Sequence, residues 1–219
     1  MESLPGVRGQ VDYWDRVAGE KAFTLPLRAD WLSKRLNSGA RILDLGCGTG
    51  RTLSRLLSSG YEQAIGMDSS ARMLAKCRAD FPAAILARCD GRTIPLRGES
   101  TDAVLLLAVL TCTPGDAEQR ALMDEIQRVL RPGGLLYISD FLLNDDAGNR
   151  ERYERSRPEG SEYGVFCHAE GVVLRHHREE WIAELTASFQ RLEYEPFWAV
   201  TMNGNRSAAF QYLGRRAGR

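Results

Sequence analysis

The sequence carries no net charge and no long apolar segment, and both absences limit its partners. Its 29 basic residues balance 29 acidic ones, so the overall charge does not favour a nucleic acid or an anionic membrane. Residues 1–30 are polar, are interrupted by Pro5 and Pro26, and contain no run suited to a signal peptide or a membrane helix. We therefore expect a cytoplasmic protein whose partner is a small molecule, with no nucleic acid and no membrane.

The sequence also lacks paired cysteines. Its five cysteines are scattered and odd in number, unlike the close pairs of zinc sites and thioredoxin-like redox motifs, and we expect free thiols in a reducing compartment. No helix-spaced pair of metal ligands occurs, so no metal site is predicted. Repeats and low-complexity tracts are absent, and 219 residues with 43% hydrophobic side chains suit a single globular domain.

The middle of the chain has the alternating pattern of a parallel α/β sheet. Between residues 41 and 140, apolar runs typical of strands covered on both faces alternate with helix-like segments. The predicted strands are residues 41–45, 64–68, 84–89, 102–108 and 134–140. The predicted crossover helices are residues 51–58, 70–80 and 116–130. Asp116 is the predicted cap of the last helix, with Gln119 at the capping-box position, and Pro132-Gly133 ends it in a turn.

Segments on both sides of this core are predicted to belong to the same domain. Residues 11–20 and 25–37 have the partly apolar faces of helices, which form an N-terminal lid or pack on the sheet. Residues 163–168 and 172–176 predict a hairpin. This hairpin lies in an insertion after the fifth strand, where it would serve as a cap over a substrate.

The C-terminal part adds a predicted helix at residues 179–189 and apolar, aromatic runs at residues 194–201 and 207–213, joined around Asn203-Gly204. These runs predict a closing antiparallel pair beside the parallel strands. The expected architecture is α/β and doubly wound, with a mostly parallel seven-stranded sheet. Its segments are the lid at residues 1–39, the core at 40–140, the cap at 141–178, and the C-terminal helix and strands at 179–219.

Residues 42–50, with the sequence ILDLGCGTG, join the first predicted strand to the first predicted helix. Glycines at alternate positions let the backbone take turns that other residues resist, and they let a ligand approach it closely. Arg51 occupies the place where the dinucleotide fingerprint requires a third glycine, and no Lys-Ser or Lys-Thr pair follows as in a phosphate-binding P-loop. The loop therefore predicts a nucleoside-like cofactor without phosphates.

An acidic residue ends the second predicted strand. Asp68 follows the glycines by about twenty residues, the position from which an acid accepts hydrogen bonds from both hydroxyls of a ribose. Together with the loop, this position indicates that Asp68 is the ribose anchor of a bound nucleoside.

These features resemble the class I S-adenosylmethionine-dependent methyltransferases, particularly the small-molecule branch that includes quinone-biosynthesis enzymes. The resemblance covers residues 41–140. Its matching motifs are DLGCGTG at 44–50, Gly66-Met67-Asp68-Ser69, Cys89-Asp90-Gly91, the strand at 102–109, and Leu130-Arg131-Pro132-Gly133-Gly134. It implies a Rossmann-like fold, S-adenosylmethionine as cofactor and S-adenosylhomocysteine as product. The methyl group would pass to an O, N, S or C nucleophile by in-line displacement.

The resemblance also implies roles for individual residues. The backbone of the glycine loop would hold the methionine end of the cofactor, and Asp44 would assist its ammonium group or stabilise the loop. Met73 would cover the adenine or belong to the core, and Tyr13 resembles an N-terminal aromatic residue that closes over the cofactor. The implied cofactor-binding residues are Tyr13, Asp44, Gly46, Cys47, Gly48, Gly50, Asp68, Ser69, Met73, Asp90, Gly91, Ala108 and Val109.

The acceptor is expected beyond the carboxyl ends of the strands, where ligands bind in open α/β sheets. The predicted substrate-binding residues are Phe23, Thr111, Cys112, Phe141 and Phe166. Their aromatic content favours a moderately apolar small molecule. His168, His176 and Tyr163 are candidate catalytic residues, because a weakly acidic nucleophile needs a base. Buried cysteines usually behave as small hydrophobes, so Cys47 and Cys112 are assigned no chemistry.

Two other functions fit the same fold. An aminopropyl transferase would use a decarboxylated donor, although the acid-rich site expected for a polyamine is not evident. A non-catalytic subunit or sensor would bind S-adenosylmethionine without transferring a group. The identity of the acceptor and the choice between a monomer and a homodimer stay open.

Overall fold

The computed structural model describes residues 7–21 and 23–218. The helices are α1 Val7–Arg16, α2 Ala29–Ser33, α3 Arg51–Ser58, α4 Ala71–Asp80, α5 Asp116–Val129, α6 Ala147–Arg155 and α7 Glu179–Leu185. The strands are β1 Ile42–Leu45, β2 Ile65–Asp68, β3 Ile85–Arg88, β4 Thr101–Leu107, β5 Leu130–Phe141, β6 Val165–Cys167, β7 Val173–Arg175, β8 Phe189–Val200 and β9 Arg206–Arg216. A short 3-10 helix covers Leu110–Cys112.

A seven-stranded sheet in the order β3-β2-β1-β4-β5-β9-β8 forms the centre of the fold. Strands β1 to β5 run parallel, and β9 lies antiparallel between β5 and β8. The predicted α/β class with an antiparallel C-terminal pair is confirmed. The strand order reverses between β1 and β4, which leaves a crevice at their carboxyl ends where open α/β sheets bind ligands.

Both faces of this sheet are buried, which explains why its central strands are apolar at nearly every position. On one face Leu43 belongs to the same cluster as Ile126 of α5. On the other face Ile42 and Leu105 cluster with Leu53 of α3. Burial of each such side chain stabilises the fold by about 1.5–3 kcal/mol, so the strand ends above the core are held on a rigid base.

The N-terminal helices differ from their predicted ranges. Helix α1 lies at Val7–Arg16 instead of 11–20, because the chain turns after it and Gly19 adopts a left-handed φ of +87°. Helix α2 covers only part of the predicted range 25–37. The carbonyl oxygen of Pro26 accepts hydrogen bonds from the side chains of Tyr137 and Gln211 at 3.2 and 2.9 Å. These bonds tie the segment before α2 to the sheet in an extended form.

The predicted capping box at the start of α5 is wrong. Gly115 is the N-cap, and no side chain caps the helix. Asp116 instead accepts a hydrogen bond from Nη1 of Arg175 at 2.5 Å. Gln119 is fully buried and contacts His177 and Trp181, which are distant in the sequence and come close only through tertiary packing.

The segment 130–134, predicted as a turn, forms the irregular start of β5. Thr101 of β4 pairs with Leu130 and Ala103 with Leu135, so the register shifts between these two pairs. Gly133 takes a φ of +79° within this stretch. The chain therefore passes from α5 into the sheet through a distorted strand.

The insertion after β5 contains α6 and the antiparallel hairpin of β6 and β7. Two contacts join the hairpin to the carboxyl end of the sheet. The Thr111 hydroxyl donates to the carbonyl oxygen of Arg175 at 2.6 Å, and Leu142 pairs with His177 in an isolated bridge. The hairpin is thereby held over the crevice between β1 and β4.

The described residues were also compared with the requirements for a membrane-spanning helix, a disulfide and a metal site. None of the helices within 7–21 and 23–218 combines the length and apolarity needed to cross a bilayer. All five cysteines are free thiols. Across these ranges, no group of three or more His, Cys, Asp or Glu side chains is arranged to hold a metal ion.

Candidate active site

A cavity of about 1290 Å³ opens at the carboxyl ends of the central strands. Its walls include the loops after β1, β2, β3 and β4, the insertion after β5, and the turn between β8 and β9. Sites for a single small ligand are usually about 300–1,000 Å³. The volume is therefore large enough for two reactants side by side.

The glycine loop forms one wall of this cavity. Gly46 has a φ of +77°, and a Cβ there would lie 2.6 Å from Cγ2 of Val109. Gly48 has a φ of +54° and faces the ring of Phe23. Both positions require glycine, because the left-handed conformation disfavours other residues and Gly46 has no room for a side chain. The bare backbone is thus exposed to a ligand.

Asp68 lies at the tip of β2 beside this loop. Its Oδ2 accepts a hydrogen bond from the backbone N–H of Gly48 at 2.9 Å, and its Oδ1 accepts one from Ser70 at 2.8 Å. Burial raises the pKa of Asp68 above its ordinary value, and these backbone bonds offset only part of that rise. A carboxylate has about four acceptor sites, so these bonds leave it acceptor capacity for ribose hydroxyls.

Asp44 lies in β1, below the loop, and is only 1% exposed. Within the described residues its Oδ2 has no hydrogen-bond partner. Burial raises the pKa of Asp44 to about 7, against the opposing charge of Arg51. An unpaired buried carboxylate oxygen is costly, and a cationic ligand group near the loop would relieve that cost. Asp44 does not itself line the cavity.

The remaining cofactor side of the cavity is formed by residues after β2 and β3. Ser70 caps α4 by accepting from the backbone N–H of Met73 at 3.0 Å, which places the Met73 side chain in the wall. Met73 also packs with Tyr13 and Val17, so its two predicted roles are compatible. Asp90 is exposed and lines the cavity with Gly91.

The opposite wall carries aromatic side chains. Phe141 stacks on His176 with ring centroids 5.5 Å apart, and Phe166 meets the same imidazole edge-on at 5.1 Å. Burial lowers the pKa of His176 to about 3. The imidazole is therefore neutral at physiological pH. His168 also lines the cavity, and its Nδ1 accepts from the backbone N–H of Glu170 at 3.3 Å.

Thr111 and Cys112 lie between the two walls, in the 3-10 helix. The N–H groups of Leu110 and Thr111 donate to the buried carboxyl of Asp140. The Cys112 thiol donates to the carbonyl oxygen of Ala108 at 3.1 Å, and burial raises its pKa well above the ordinary value. Cys112 is therefore a poor nucleophile. Ala108 takes a left-handed φ of +58°, a strained conformation that turns the chain into the cavity.

Comparison with known proteins identifies the family to which this chain belongs. Residues 43–138 match the model of the family described as Methyltransferase domain. The 27-O-demethylrifamycin SV methyltransferase of Amycolatopsis mediterranei is 31% identical over 235 residues, which cover 97% of this chain and 81% of that protein. The chain belongs to the S-adenosylmethionine-dependent methyltransferases. Membership implies S-adenosylmethionine as the cofactor, and the geometry around Asp68 and Asp44 fits it.

Other proteins are similar to this methyltransferase over different lengths of the chain. A tRNA (carboxymethyluridine(34)-5-O)-methyltransferase of Macaca fascicularis is 34% identical over 108 residues, 48% of this chain and 15% of that protein. Uncharacterized methyltransferases of Mycobacterium tuberculosis and Mycobacterium bovis are 34% identical to this chain over 111 residues. The match covers 51% of this chain and 43% of those proteins. The solved structure of a methyltransferase from Methanosarcina mazei has a TM-score of 0.81 at 22% identity, covering 86% of this chain and 98% of that chain, which supports the fold.

The methyltransferase brings most of its predicted site residues to one cavity, but several do not reach it. Tyr13 is buried and donates to Oε2 of Glu170 at 2.6 Å, so it joins α1 to the hairpin. Its neighbour Trp14 lines the cavity instead. Gly50 is the N-cap of α3, and a Cβ there would meet the Cys77 thiol.

Tyr163, a predicted catalytic candidate, also lies outside the cavity wall. It is 37% exposed, and its ring packs edge-on against Tyr153. The other predicted cofactor and substrate residues, apart from Asp44, line the cavity. Their contacts with bound molecules stay predictions.

Sequence reasoning missed several cavity residues of the methyltransferase. Arg51 stands where the dinucleotide fingerprint has its third glycine, and it also lines the cavity and donates to the carbonyl oxygen of Leu25 at 2.6 Å. Arg152 lies in a run of alternating charge that is typical of a solvated face. Trp198 of β8 lines the cavity while 56% exposed. The sequence shows the type of each of these residues, but the tertiary fold decides whether its side chain lines the cavity.

Proposed function

We propose that this chain transfers the methyl group of S-adenosylmethionine to a nucleophilic atom of a small organic acceptor. The main support is one cavity that joins the glycine loop and Asp68 to the aromatic wall of Phe141 and Phe166. Such a space lets the two reactants lie next to each other while protein groups surround both. Alignment of this kind lowers a barrier by roughly 7–11 kcal/mol.

Binding and orientation are the tasks of the chain in this proposal. When bound, S-adenosylmethionine would supply a methyl carbon that an acceptor atom attacks in line, while the S–CH3 bond breaks and S-adenosylhomocysteine leaves. Asp68 would hold the ribose of the cofactor, and the backbone of the glycine loop would hold its methionine end. The aromatic wall excludes water from the acceptor. His176 has a pKa of about 3 and is too weak a base to accept a proton at neutral pH.

A small acceptor is favoured over a tRNA by the charge and chemistry of the site. One similar protein is named for methylation of a rifamycin and another for methylation of tRNA. Nucleic-acid binding needs an excess of basic side chains facing the phosphates, but this chain has equal numbers of basic and acidic residues. The aromatic wall supports an apolar organic acceptor.

Transfer of a labelled methyl group tests the proposal. The protein is incubated with methyl-labelled S-adenosylmethionine and with panels of phenols, aromatic acids, amines and thiols, in parallel with total tRNA. We expect label in a small acceptor and none without protein. Label in tRNA alone would refute the small-acceptor proposal. Cofactor binding without methyl transfer to any acceptor would instead support a sensor. A parallel assay with decarboxylated S-adenosylmethionine would support an aminopropyl transferase if this donor alone transferred a group.

Asp44 gives a pH-dependent prediction. With its pKa at about 7, most of this carboxyl is protonated at pH 6.5, and the ammonium of a bound cofactor would favour the ionised form. S-adenosylhomocysteine binding at pH 6.5 should therefore release between about half a proton and one proton, and affinity should rise as the pH increases through 7. Calorimetric titration in two buffers of different ionisation enthalpy measures this release.

The control for this prediction is Asp44→Asn, which keeps the shape of the side chain and removes its titration. The variant should show no proton release from this site. Equal apparent enthalpies in both buffers for the unmodified protein, or an undiminished release in the variant, would contradict the assignment of Asp44 to the ammonium group.

A further inference from the structure

The acceptor end of the cavity contains the cationic side chain of Arg152. Arg152 of α6 lines the cavity, and its guanidinium carbon lies 4.3 Å from the centroid of the Phe166 ring. Its Nη2 donates to Oδ1 of Asn149. Its Nε is buried without a hydrogen-bond partner, and Arg152 forms no ion pair with any carboxylate in the described part of the chain.

The carboxylate of Asp146, the N-cap of α6, lines the same cavity and accepts its hydrogen bonds from another residue. Asp146 caps the helix, and its two oxygens accept from the backbone and side-chain N–H groups of Asn149 at 3.0 and 2.6 Å. Asn149 therefore stands between this carboxylate and Arg152. Arg51, another cavity cation, differs because its guanidinium donates to a backbone carbonyl and lies near Asp44. Arg152 is thus left with an unpaired Nε–H and without an ion pair among the described residues.

The hydrogen-bond network around His176 sets its tautomer. The Asn144 Oδ1 accepts from the backbone N–H of Ala208 at 2.8 Å, which fixes the amide so that its Nδ2 faces Nδ1 of His176 at 3.3 Å. The Tyr153 hydroxyl accepts from the backbone N–H of Asn144 and so donates its own proton to the same Nδ1 at 2.7 Å. The Tyr153 hydroxyl has Nδ1 as its acceptor, and a donor at Nδ1 places the imidazole hydrogen on Nε2.

His176 therefore offers a hydrogen-bond donor to the cavity. It lines the cavity, and its Nε2 has no hydrogen-bond partner in residues 7–21 and 23–218. The ring lies between Phe141 and Phe166, and Phe166 is the same ring that carries the Arg152 guanidinium. A neutral N–H donor and an unpaired cation thus border one aromatic surface.

We propose that the acceptor is an aromatic compound with an acidic oxygen, a carboxylate or a phenolate, and that this oxygen binds as an anion between Arg152 and the Nε2–H of His176. The inference rests on the proposed function, because it specifies the acceptor of that same site. The aromatic ring of the acceptor would pack against Phe141 and Phe166. Charge-assisted hydrogen bonds from a guanidinium are the stronger class of such bonds, so the charge of the ligand should dominate selection.

Matched pairs of probes test this inference on protein loaded with S-adenosylhomocysteine. Benzoate is compared with the neutral benzamide, and 4-nitrophenolate at pH 8 with the neutral 4-nitroanisole, by calorimetric titration. We expect at least one anion to bind at least tenfold more tightly than its neutral counterpart. Preference for benzoate indicates a carboxylate acceptor, and preference for 4-nitrophenolate indicates a phenolate.

Variants of α6 identify the residue responsible. Arg152→Gln should lose at least tenfold in affinity for the preferred anion with little change for the neutral probe, and Arg152→Lys should retain part of the preference. Arg150→Gln is the matched control, because Arg150 is exposed on the same helix and does not line the cavity. Equal binding of charged and neutral probes, failure of both anions to bind, or an undiminished preference in Arg152→Gln would overturn the inference.

A separate measurement tests His176. Long-range proton–nitrogen correlation spectra at pH 7 should show a neutral imidazole protonated at Nε2, and a proton at Nδ1 would overturn its role as a donor. Affinity for S-adenosylhomocysteine and methyl transfer to the acceptor panels are measured independently. If the protein fails to bind S-adenosylhomocysteine or to transfer a methyl group, the proposed function is refuted. If it does both but shows no preference for anions, only this inference is refuted.

Discussion

Replacement of Asp68 with alanine is expected to weaken S-adenosylhomocysteine binding by at least about 100-fold. A hydrogen bond to a charged group contributes about 1.5–3 kcal/mol, and Asp68 would accept one from each ribose hydroxyl. A 100-fold loss corresponds to about 2.8 kcal/mol, which is within the reach of two such bonds. The variant also removes the acceptor that holds the N–H groups of Gly48 and Ser70. Calorimetric titration measures the change.

The matched control is Asp80→Ala, at the C-terminal end of α4. Asp80 is exposed and pairs only loosely with Lys76 at 3.7 Å, so this variant should bind the ligand normally. Thermal unfolding of both variants separates loss of binding from loss of folding. Undiminished affinity in a folded Asp68→Ala protein would refute the ribose assignment, whatever the acceptor of the enzyme proves to be.

Replacement of Gln119 with leucine is expected to lower the free energy of unfolding by about 3–5 kcal/mol, because each stranded buried polar group costs about 1–3 kcal/mol. The Gln119 Nε2 donates to the carbonyl oxygens of Leu110 and Thr113 at 3.0 and 2.7 Å and lies 2.9 Å from Nε2 of His177. Its Oε1 accepts from the indole N–H of Trp181 at 2.6 Å. Leucine satisfies none of these groups.

Urea unfolding monitored by circular dichroism measures this effect, with Gln127→Leu as the control. Gln127 lies on the same helix and is partly exposed, so the same chemical change there should alter stability by less than about 0.5 kcal/mol. A loss in Gln119→Leu no larger than that of the control would show that the buried bonds contribute little. Because Leu110 and Thr113 flank the acceptor end, the variant should also disturb the cavity before it unfolds globally.

Gln119 also illustrates why some local predictions failed. Its spacing from Asp116 matches a capping box, but its partners His177 and Trp181 are distant in the sequence and reach it only when the insertion folds back. Tyr13 is similar, since its partner Glu170 belongs to the hairpin. A short-range sequence pattern indicates which local hydrogen bonds a side chain is able to form. It does not indicate which partner from a distant part of the chain forms a hydrogen bond with that side chain instead.

The cofactor side was more predictable. The glycine spacing and the position of Asp68 at a strand end are local features, and the parallel order of the central strands follows from their apolar composition and crossover helices. Once β1 and β2 are neighbours, the loop and Asp68 must meet, and they do so through the Gly48 hydrogen bond. The residues of the acceptor side come from segments joined by long irregular connections, so their orientation could not be derived in this way.

The sequence by itself determined the α/β class, the glycine loop and the acid beside it, because strand periodicity and left-handed glycine turns act over a few residues. Within the part of the chain that the structure describes, only the tertiary structure decided that Arg152 forms no ion pair, that His176 is buried beside the Tyr153 hydroxyl, and that Oδ2 of Asp44 has no hydrogen-bond partner. Burial and hydrogen-bond competition depend on every group that arrives at the site, and those groups are brought together by packing across the whole chain.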